Sequence, residues 1–143
     1  MDRKEILLLA TLAAGDSGLT PVQLQKSLFL IGESKLQGVP DTYYKFIPYN
    51  YGPFDAAIYA EADELSAAGH IAQNPVQGRS WTIYNVTVAG ENSAQQIKST
   101  CPGDLAEYIK SVVDWTKSLS FSGLLRSIYA AYPQFRENSV FQQ

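Results

Sequence analysis

The stretch from Pro53 to Gly69 concentrates carboxylates and lacks basic side chains. It contains no Lys or Arg but four acidic residues, Asp55, Glu61, Asp63 and Glu64. Carboxylates repel nucleic-acid phosphates and offer no hydrogen-bond donor to guanine or adenine. The chemistry that they suggest is charge-directed contact with another polypeptide.

An amphipathic helix is the element that must position these carboxylates. Apolar residues recur from Phe54 to Leu65 at i, i+4, i+8 and i+11, which is the spacing of one helix face. Pro53 suits the first turn, and Gly69 suits the left-handed position after the last turn. The opposite face then carries three alanines and two acids, Ala56, Ala60, Asp63, Glu64 and Ala67.

Two interpretations of this opposite face stand side by side. Small alanines allow a second helix to approach closely, with carboxylates at the rim to set its register. On that hypothesis the face binds a protein, either a second copy in a homodimer or a partner with a basic surface. On the alternative, later helices of the same chain cover the alanines and the acids are merely solvated.

DNA binding is the competing hypothesis, because the third helix of a winged-helix protein normally enters the major groove. Here that helix offers no base-reading donor. The remaining route uses scattered phosphate contacts, which predict weak and salt-sensitive binding. The side chains for that route are Lys26, Lys35, Lys45 and Arg79.

Enzyme chemistry has little support in the sequence. His70 has no second His or Cys at metal-ligand spacing, so neither a metal nor a cofactor is expected. Cys101 precedes a predicted helix start, where a thiolate is favoured, and a Cys101–His70 pair stays open as a distant third hypothesis. No catalytic residue is assigned.

An aromatic run precedes the acidic helix. Its members could line a pocket or stack bases, but Lys45 is the one cation among them, so core and interface packing is the favoured interpretation. The run comprises Tyr43, Tyr44, Phe46, Tyr49, Tyr51 and Phe54.

Composition limits the classes of protein. The 143 residues are 45% hydrophobic and 17% charged, with a net charge of −3 and one cysteine. The length and apolar content predict one globular domain with one core. Without a basic block, an 18-residue apolar run or an internal disulfide, we expect a cytoplasmic protein that does not bind a membrane.

Local signals predict a mostly α, α+β fold. A helix over 2–14 is followed by one that starts at Thr20-Pro21, where Gln23 completes a capping box. An aromatic strand over 43–47 leads to the acidic helix. A strand that begins at residues 70–71 and a second strand over 81–88, on either side of the loop at 74–80, form a hairpin. These elements predict a winged helix-turn-helix core over residues 1–88, with the hairpin as its wing.

Three further helices are predicted in a C-terminal extension over residues 89–133. Thr87 caps the first, the second runs from Leu105 to Lys117, and Ser120 caps the third, which Pro133 ends. Residues 134–143 form a tail that Phe135 and Phe141 anchor. The whole chain, 1–143, is expected to be one domain.

The order of three segments resembles the SocA/Panacea-type antitoxin superfamily and related small bacterial winged-helix proteins. The segments are TPVQLQKSLFLIGES, YNYGPFDAAIYAEADELSAAGHI and IYNVTVAG. The late segment LSFSGLLRSIYAAYPQFRENSV also resembles a C-terminal segment of some relatives. The resemblance implies a bacterial or phage cytoplasmic regulator of antitoxin-like type, for which the protein partner would be a toxin.

Overall fold

The computed structural model of the chain describes residues 1–141. Within that range the chain is α-rich, with two small antiparallel β-hairpins. In chain order the elements are α1 (Arg3–Ala13), α2 (Pro21–Glu33), β1 (Ile47–Tyr49), β2 (Gly52–Phe54), α3 (Ala57–Ala67), β3 (Ile71–Pro75), β4 (Thr82–Val86), α4 (Val88–Ser99), α5 (Leu105–Ser118) and α6 (Phe121–Ala131). Short 3-10 helices lie at Gly15–Ser17 and Pro133–Arg136.

Most helices begin where the sequence predicted, because a side chain caps the first turn. Thr20 Oγ1 accepts the Gln23 N–H at 3.1 Å, and the Gln23 side chain accepts the Thr20 N–H at 2.9 Å. The hydroxyls of Thr87 and Ser120 each accept a backbone N–H three residues later. Each such cap stabilises its helix by about 1 kcal/mol.

The segment before α3 differs from the prediction. Residues 43–46 are not in a strand, only Ile47 of the predicted strand is, and the helix does not begin at Pro53. β1 pairs with β2 instead, and α3 begins at Ala57. The side-chain amide of Gln25 forms hydrogen bonds with both backbone groups of Asp55, at 2.9 and 3.0 Å. These bonds hold the backbone at Asp55 outside the helix, so α3 begins two residues later. Asp55 Oδ1 then accepts the Ala57 N–H at 2.9 Å.

The β3–β4 hairpin confirms the predicted pair of strands, but their ends differ. β3 continues to Pro75, inside the predicted loop, and β4 begins at Thr82. Its register runs from Ile71 opposite Val86 to Pro75 opposite Thr82. The second strand was expected to reach residue 88, but it ends at Val86 because Thr87 caps α4.

Leu19, in the connection between α1 and α2, forms an isolated β-bridge with Tyr84 of this hairpin. The Leu19 N–H donates to Tyr84 O at 3.0 Å, and the Tyr84 N–H donates to Leu19 O at 2.9 Å. A side chain on Gly18 would lie 2.5 Å from Tyr84 O, so glycine permits this close approach. The hairpin is thereby tied to the α1–α2 connection.

α2 is the central helix of the core. Its residues from Leu24 to Phe29 are all buried, including the polar Gln25, Lys26 and Ser27. A helix that is buried on every side needs partners all round. α1, α5, β2 and β4 pack against it, and Phe29 lies in a second apolar cluster with α6.

The helices after residue 88 share this core. α4 and α5 pack on α1, and one apolar cluster joins Ile6, Leu28 and Ile109. The Lys117 ammonium on α5 donates to Ala14 O at 2.8 Å and to Gly18 O at 2.7 Å, in the connection between α1 and α2. No boundary in the packing separates the predicted core from the predicted extension.

The C-terminal tail packs back on the second cluster. Phe135 and Phe141 are half-buried against it, as the sequence predicted. The Val140 N–H donates to Asn50 O at 2.9 Å, which joins the tail to the β1–β2 turn. The last two residues of the predicted tail, Gln142 and Gln143, lie outside the described range.

Candidate interaction surface

The outer face of α3 is open to solvent. All five residues predicted for partner contact are exposed, namely Ala56, Ala60, Asp63, Glu64 and Ala67. The helices of the C-terminal extension pack on α1, α2 and the β2 region, and they leave these alanines uncovered. The interpretation in which they cover the alanines is therefore wrong, while solvation of the two acids stays open.

Two of the four acids near α3 point inward instead of contributing to this face. Asp55 accepts backbone N–H groups from Ala57 and Lys45, at 2.9 and 2.8 Å. Glu61 accepts Nε and a terminal nitrogen of Arg3, at 2.8 and 2.6 Å, and the hydroxyl of Tyr44 at 2.7 Å.

The charge of Arg3 is stabilised by both Glu61 and the Tyr44 ring. Its hydrogen bond with Glu61 raises the pKa of the Arg3 guanidinium, and the guanidinium lies 4.6 Å from the centre of the Tyr44 ring. The Glu61 side chain is 13% exposed. Glu61 is thus part of the junction between α1 and α3 and is unavailable to a partner.

The two outward acids differ in how they are held. The Gln73 amide donates to Asp63 Oδ1 at 2.7 Å and to Ser66 Oγ at 2.9 Å, which orients that carboxylate. Glu64 lies 3.7 Å from the Lys4 ammonium, and both side chains are largely exposed. Such a surface pair is weak, so Glu64 can exchange Lys4 for another cation.

A row of aromatic rings borders the α3 face. Tyr49 stacks on Phe54 with ring centres 4.7 Å apart, and Phe54 meets the edge of Tyr59 at 5.7 Å. Tyr59 and Asp63 are neighbours on the helix surface because they are four residues apart. Ile47 and Tyr49 on β1 are 55% and 46% exposed.

The sequence predicted core and interface packing for the aromatic run, but it did not predict which of the rings are buried and which are exposed. Tyr43 and Tyr44 are buried, whereas Tyr49 and Tyr51 are exposed. Ile47 was missed as a surface residue. The alternation of Ile47 and Tyr49 about Pro48 is the signal for a strand with one outward face.

The cations predicted for phosphate contact do not form one surface. The prediction for Lys26 is wrong, since its side chain is 2% exposed and its Nζ donates to Pro53 O at 3.0 Å. Burial lowers the pKa of Lys26 to about 7. A phosphate cannot reach it without opening the core.

The other three cations lie at opposite ends of α2. Lys35 and Lys45 line one cleft of about 450 Å³ together with Glu33 and Asp41, which offset their charge. Arg79 borders a separate groove at the first turn of α2. The 13 residues of α2 separate these ends by roughly 20 Å.

The remaining reactive side chains are Cys101 and His70. Burial raises the pKa of the Cys101 thiol, the opposite of activation. His70 Nε2 lies 3.5 Å from Ser93 Oγ. Within residues 1–141, no three His, Cys, Asp or Glu side chains are grouped so that they could hold a metal ion.

No α-helix in the described part of the chain has the length and apolar content that crossing a bilayer requires. No protein-family model matches the sequence, and no curated protein matches it significantly.

Proposed function

We propose that the chain is a winged-helix module that acts by binding another protein and catalyses no reaction. The architectural part of the proposal is supported by the Leu19–Tyr84 bridge, which joins the α1–α2 connection to the β3–β4 hairpin. A three-helix core with a strand residue after the first helix and a hairpin after the third is the winged-helix order. The β1–β2 hairpin is then an insertion between the second and third helices.

The outer face of α3 is the observation that carries the functional proposal. It is exposed along its length, bears Asp63 and Glu64 with no cation of its own, and is flanked by the aromatic row of Tyr49, Phe54 and Tyr59. Aromatic residues are enriched at protein-binding surfaces, small residues let a second helix approach closely, and the carboxylates complement a basic partner.

The proposed partner is a protein with a basic contact surface, or a second copy of the chain in a homodimer. By the resemblance of its segments to SocA/Panacea-type antitoxins, the module is an antitoxin-like regulator of a bacterial or phage cytoplasm, and its partner is a toxin. A lone cysteine is in keeping with a reducing compartment.

The experiment is a double charge reversal, Asp63→Arg with Glu64→Arg. Sedimentation across a concentration series measures self-association, and affinity purification from the native host measures a retained partner. We expect the wild-type chain to show one of these and the double variant to lose it. The control reverses two exposed acids elsewhere, Asp16→Arg with Glu137→Arg, and so changes the net charge equally.

A wild-type chain that stays monomeric and retains no partner overturns the proposal, and so does a double variant that behaves like the control. The alternative, a transcription regulator with weak phosphate contacts, is tested by anisotropy of a labelled DNA duplex in a salt series. Binding that falls steeply with salt and is lost in Arg79→Ala favours that alternative.

A further inference from the structure

A groove lies where the first turns of α2 and α6 meet the tip of the β3–β4 hairpin. Its volume is about 510 Å³, within the usual range of roughly 300–1,000 Å³ for ligand pockets. The β1–β2 turn forms a further side of the groove, so four elements line it. The apolar lining includes Pro21, Val22, Tyr51, Trp81, Phe121 and Leu124.

Three large aromatic side chains of this groove are exposed together. Tyr51 is 43%, Trp81 40% and Phe121 45% exposed. The rings of Tyr51 and Phe121 meet edge to face at 5.4 Å. Single exposed aromatics are ordinary, but several that share one depression mark a binding site.

The charge of the groove opposes that of the molecule. The chain carries a net charge of −3, yet no carboxylate lines the groove and Arg79 does. The Arg79 guanidinium lies 5.2 Å from the Trp81 ring centre, and no acidic side chain of residues 1–141 forms a salt bridge with it. The groove therefore complements an anionic group beside an apolar one.

A free strand edge points toward the same place. Tyr84 turns its backbone N–H and C=O toward Leu19. Because backbone groups alternate along a strand, those of Thr82 turn to the same side. The segment that contains Leu19 becomes helical at Pro21, where α2 begins. The bridge therefore does not extend from Tyr84 to Thr82, and no strand of residues 1–141 pairs with Thr82 on that side.

We propose that the groove binds an extended segment of a partner protein, which pairs with the β4 edge at Thr82, places an apolar side chain among Tyr51, Trp81 and Phe121, and directs a carboxylate to Arg79. Main-chain pairing at a strand edge supplies affinity, and the side-chain groove supplies specificity. The inference rests on the proposed function for the existence of a protein partner, but it uses a surface other than the α3 face.

Tryptophan fluorescence can report on the groove alone. The chain has two tryptophans, Trp81 in the groove and Trp115 on α5. In a Trp115→Phe background, emission comes from Trp81. The probes are three ten-residue peptides: one alternates leucine or phenylalanine with glutamate, the second has lysine for each glutamate, and the third is the acidic peptide with N-methylated backbone amides.

We expect the acidic peptide to shift the Trp81 emission and to bind most tightly. Arg79→Ala should weaken it about tenfold, the loss of one charge-assisted contact. Phe121→Ser should weaken it as well, and both side chains are exposed enough for the fold to survive. The N-methylated and lysine peptides should bind at least about tenfold more weakly than the acidic one.

The control is the Asp63→Arg, Glu64→Arg double variant, which should bind the acidic peptide as the parent does. If this variant loses the partner but still binds the peptide, the α3 face and the groove are separate sites. A failure of the proposed function can then be distinguished from a failure of the groove inference. The inference is overturned if the acidic peptide does not bind, if the lysine peptide binds equally, or if Arg79→Ala has no effect. Equal binding of the N-methylated peptide overturns the pairing at Thr82.

Discussion

The side-chain amide of Gln25 pairs with both backbone groups of Asp55. Gln25 Nε2 donates to Asp55 O at 2.9 Å, and the Asp55 N–H donates to Gln25 Oε1 at 3.0 Å. Next to it, Lys26 Nζ donates to Pro53 O at 3.0 Å. Two separate segments, LQKSLFL in α2 and YGPFD at β2, therefore form one structural unit that sets where α3 begins.

Gln25→Leu should destabilise the fold. The substitution keeps much of the volume but removes two hydrogen bonds in a site where Gln25 is 1% exposed, at a cost of about 2–4 kcal/mol. Chemical denaturation measures the free energy of unfolding. The exposed Gln95→Leu on α4 is the matched control, with an expected change below about 0.5 kcal/mol. Equal changes in the two variants would contradict the role given to the Gln25–Asp55 pairing.

Lys26→Met should stabilise the protein at pH 6. Burial lowers the folded pKa of Lys26 from 10.5 to about 7, a difference worth on the order of 5 kcal/mol against the folded state at low pH. Loss of the hydrogen bond to Pro53 offsets part of this gain, which leaves about 2–3 kcal/mol.

The stability difference between Lys26→Met and the wild type should depend on pH. Between about pH 7 and 10.5 the unfolded chain holds the Lys26 proton and the folded chain does not, so wild-type stability rises with pH through that window. The advantage of Lys26→Met should therefore shrink as pH rises from 7 toward 10. Urea denaturation at several pH values measures it, with exposed Lys98→Met as control. An advantage that is independent of pH would rule out a charged, buried Lys26 as its source.

Glu61→Gln and Glu64→Gln should separate the inward acid from the outward one. Glu61 bonds Arg3 and Tyr44, and its loss of charge should cost about 1–2 kcal/mol of unfolding free energy. Glu64 forms one long, exposed contact with Lys4, and its substitution should cost less than about 0.5 kcal/mol. Thermal or chemical unfolding measures both. If Glu64→Gln proves the costlier change, the division of the acids is wrong.

Gly90→Ala should destabilise the protein although alanine is the better helix former. A Cβ at this position would lie 1.9 Å from His70 O, a backbone atom that also accepts the Thr87 N–H at 3.1 Å. Forcing the two segments apart should cost about 3 kcal/mol or more. The control is Ala89→Gly on the exposed side of α4, with an expected loss of about 1 kcal/mol. A Gly90→Ala variant as stable as wild type would mean that α4 can shift away from His70.

Which acids face outward could not be read from the pattern alone. Helical spacing distinguished Asp63 and Glu64 from the apolar face, and both are exposed. It could not reveal that Arg3, 58 residues away, would draw Glu61 into the α1–α3 junction. The burial of Lys26 could not be predicted for the same reason. A cation on a predicted helix is expected to be accessible unless the elements that pack around the helix are known.

The sequence by itself determined the helices and the β3–β4 hairpin, because caps, proline at a first turn, terminal glycines and apolar periodicity act within a few residues. Tertiary structure alone decided the β1–β2 hairpin, the start of α3 at Ala57 and the groove beside Arg79. The strands of the β1–β2 hairpin are neighbours in the chain, but the hairpin is held by distant groups, since Lys26 Nζ donates to Pro53 O and the Val140 N–H donates to Asn50 O. The groove is likewise formed by residues far apart in the chain. The start of α3 depends on the pairing of Gln25 with Asp55, which stabilises the fold only once α2 and residues 51–55 have met.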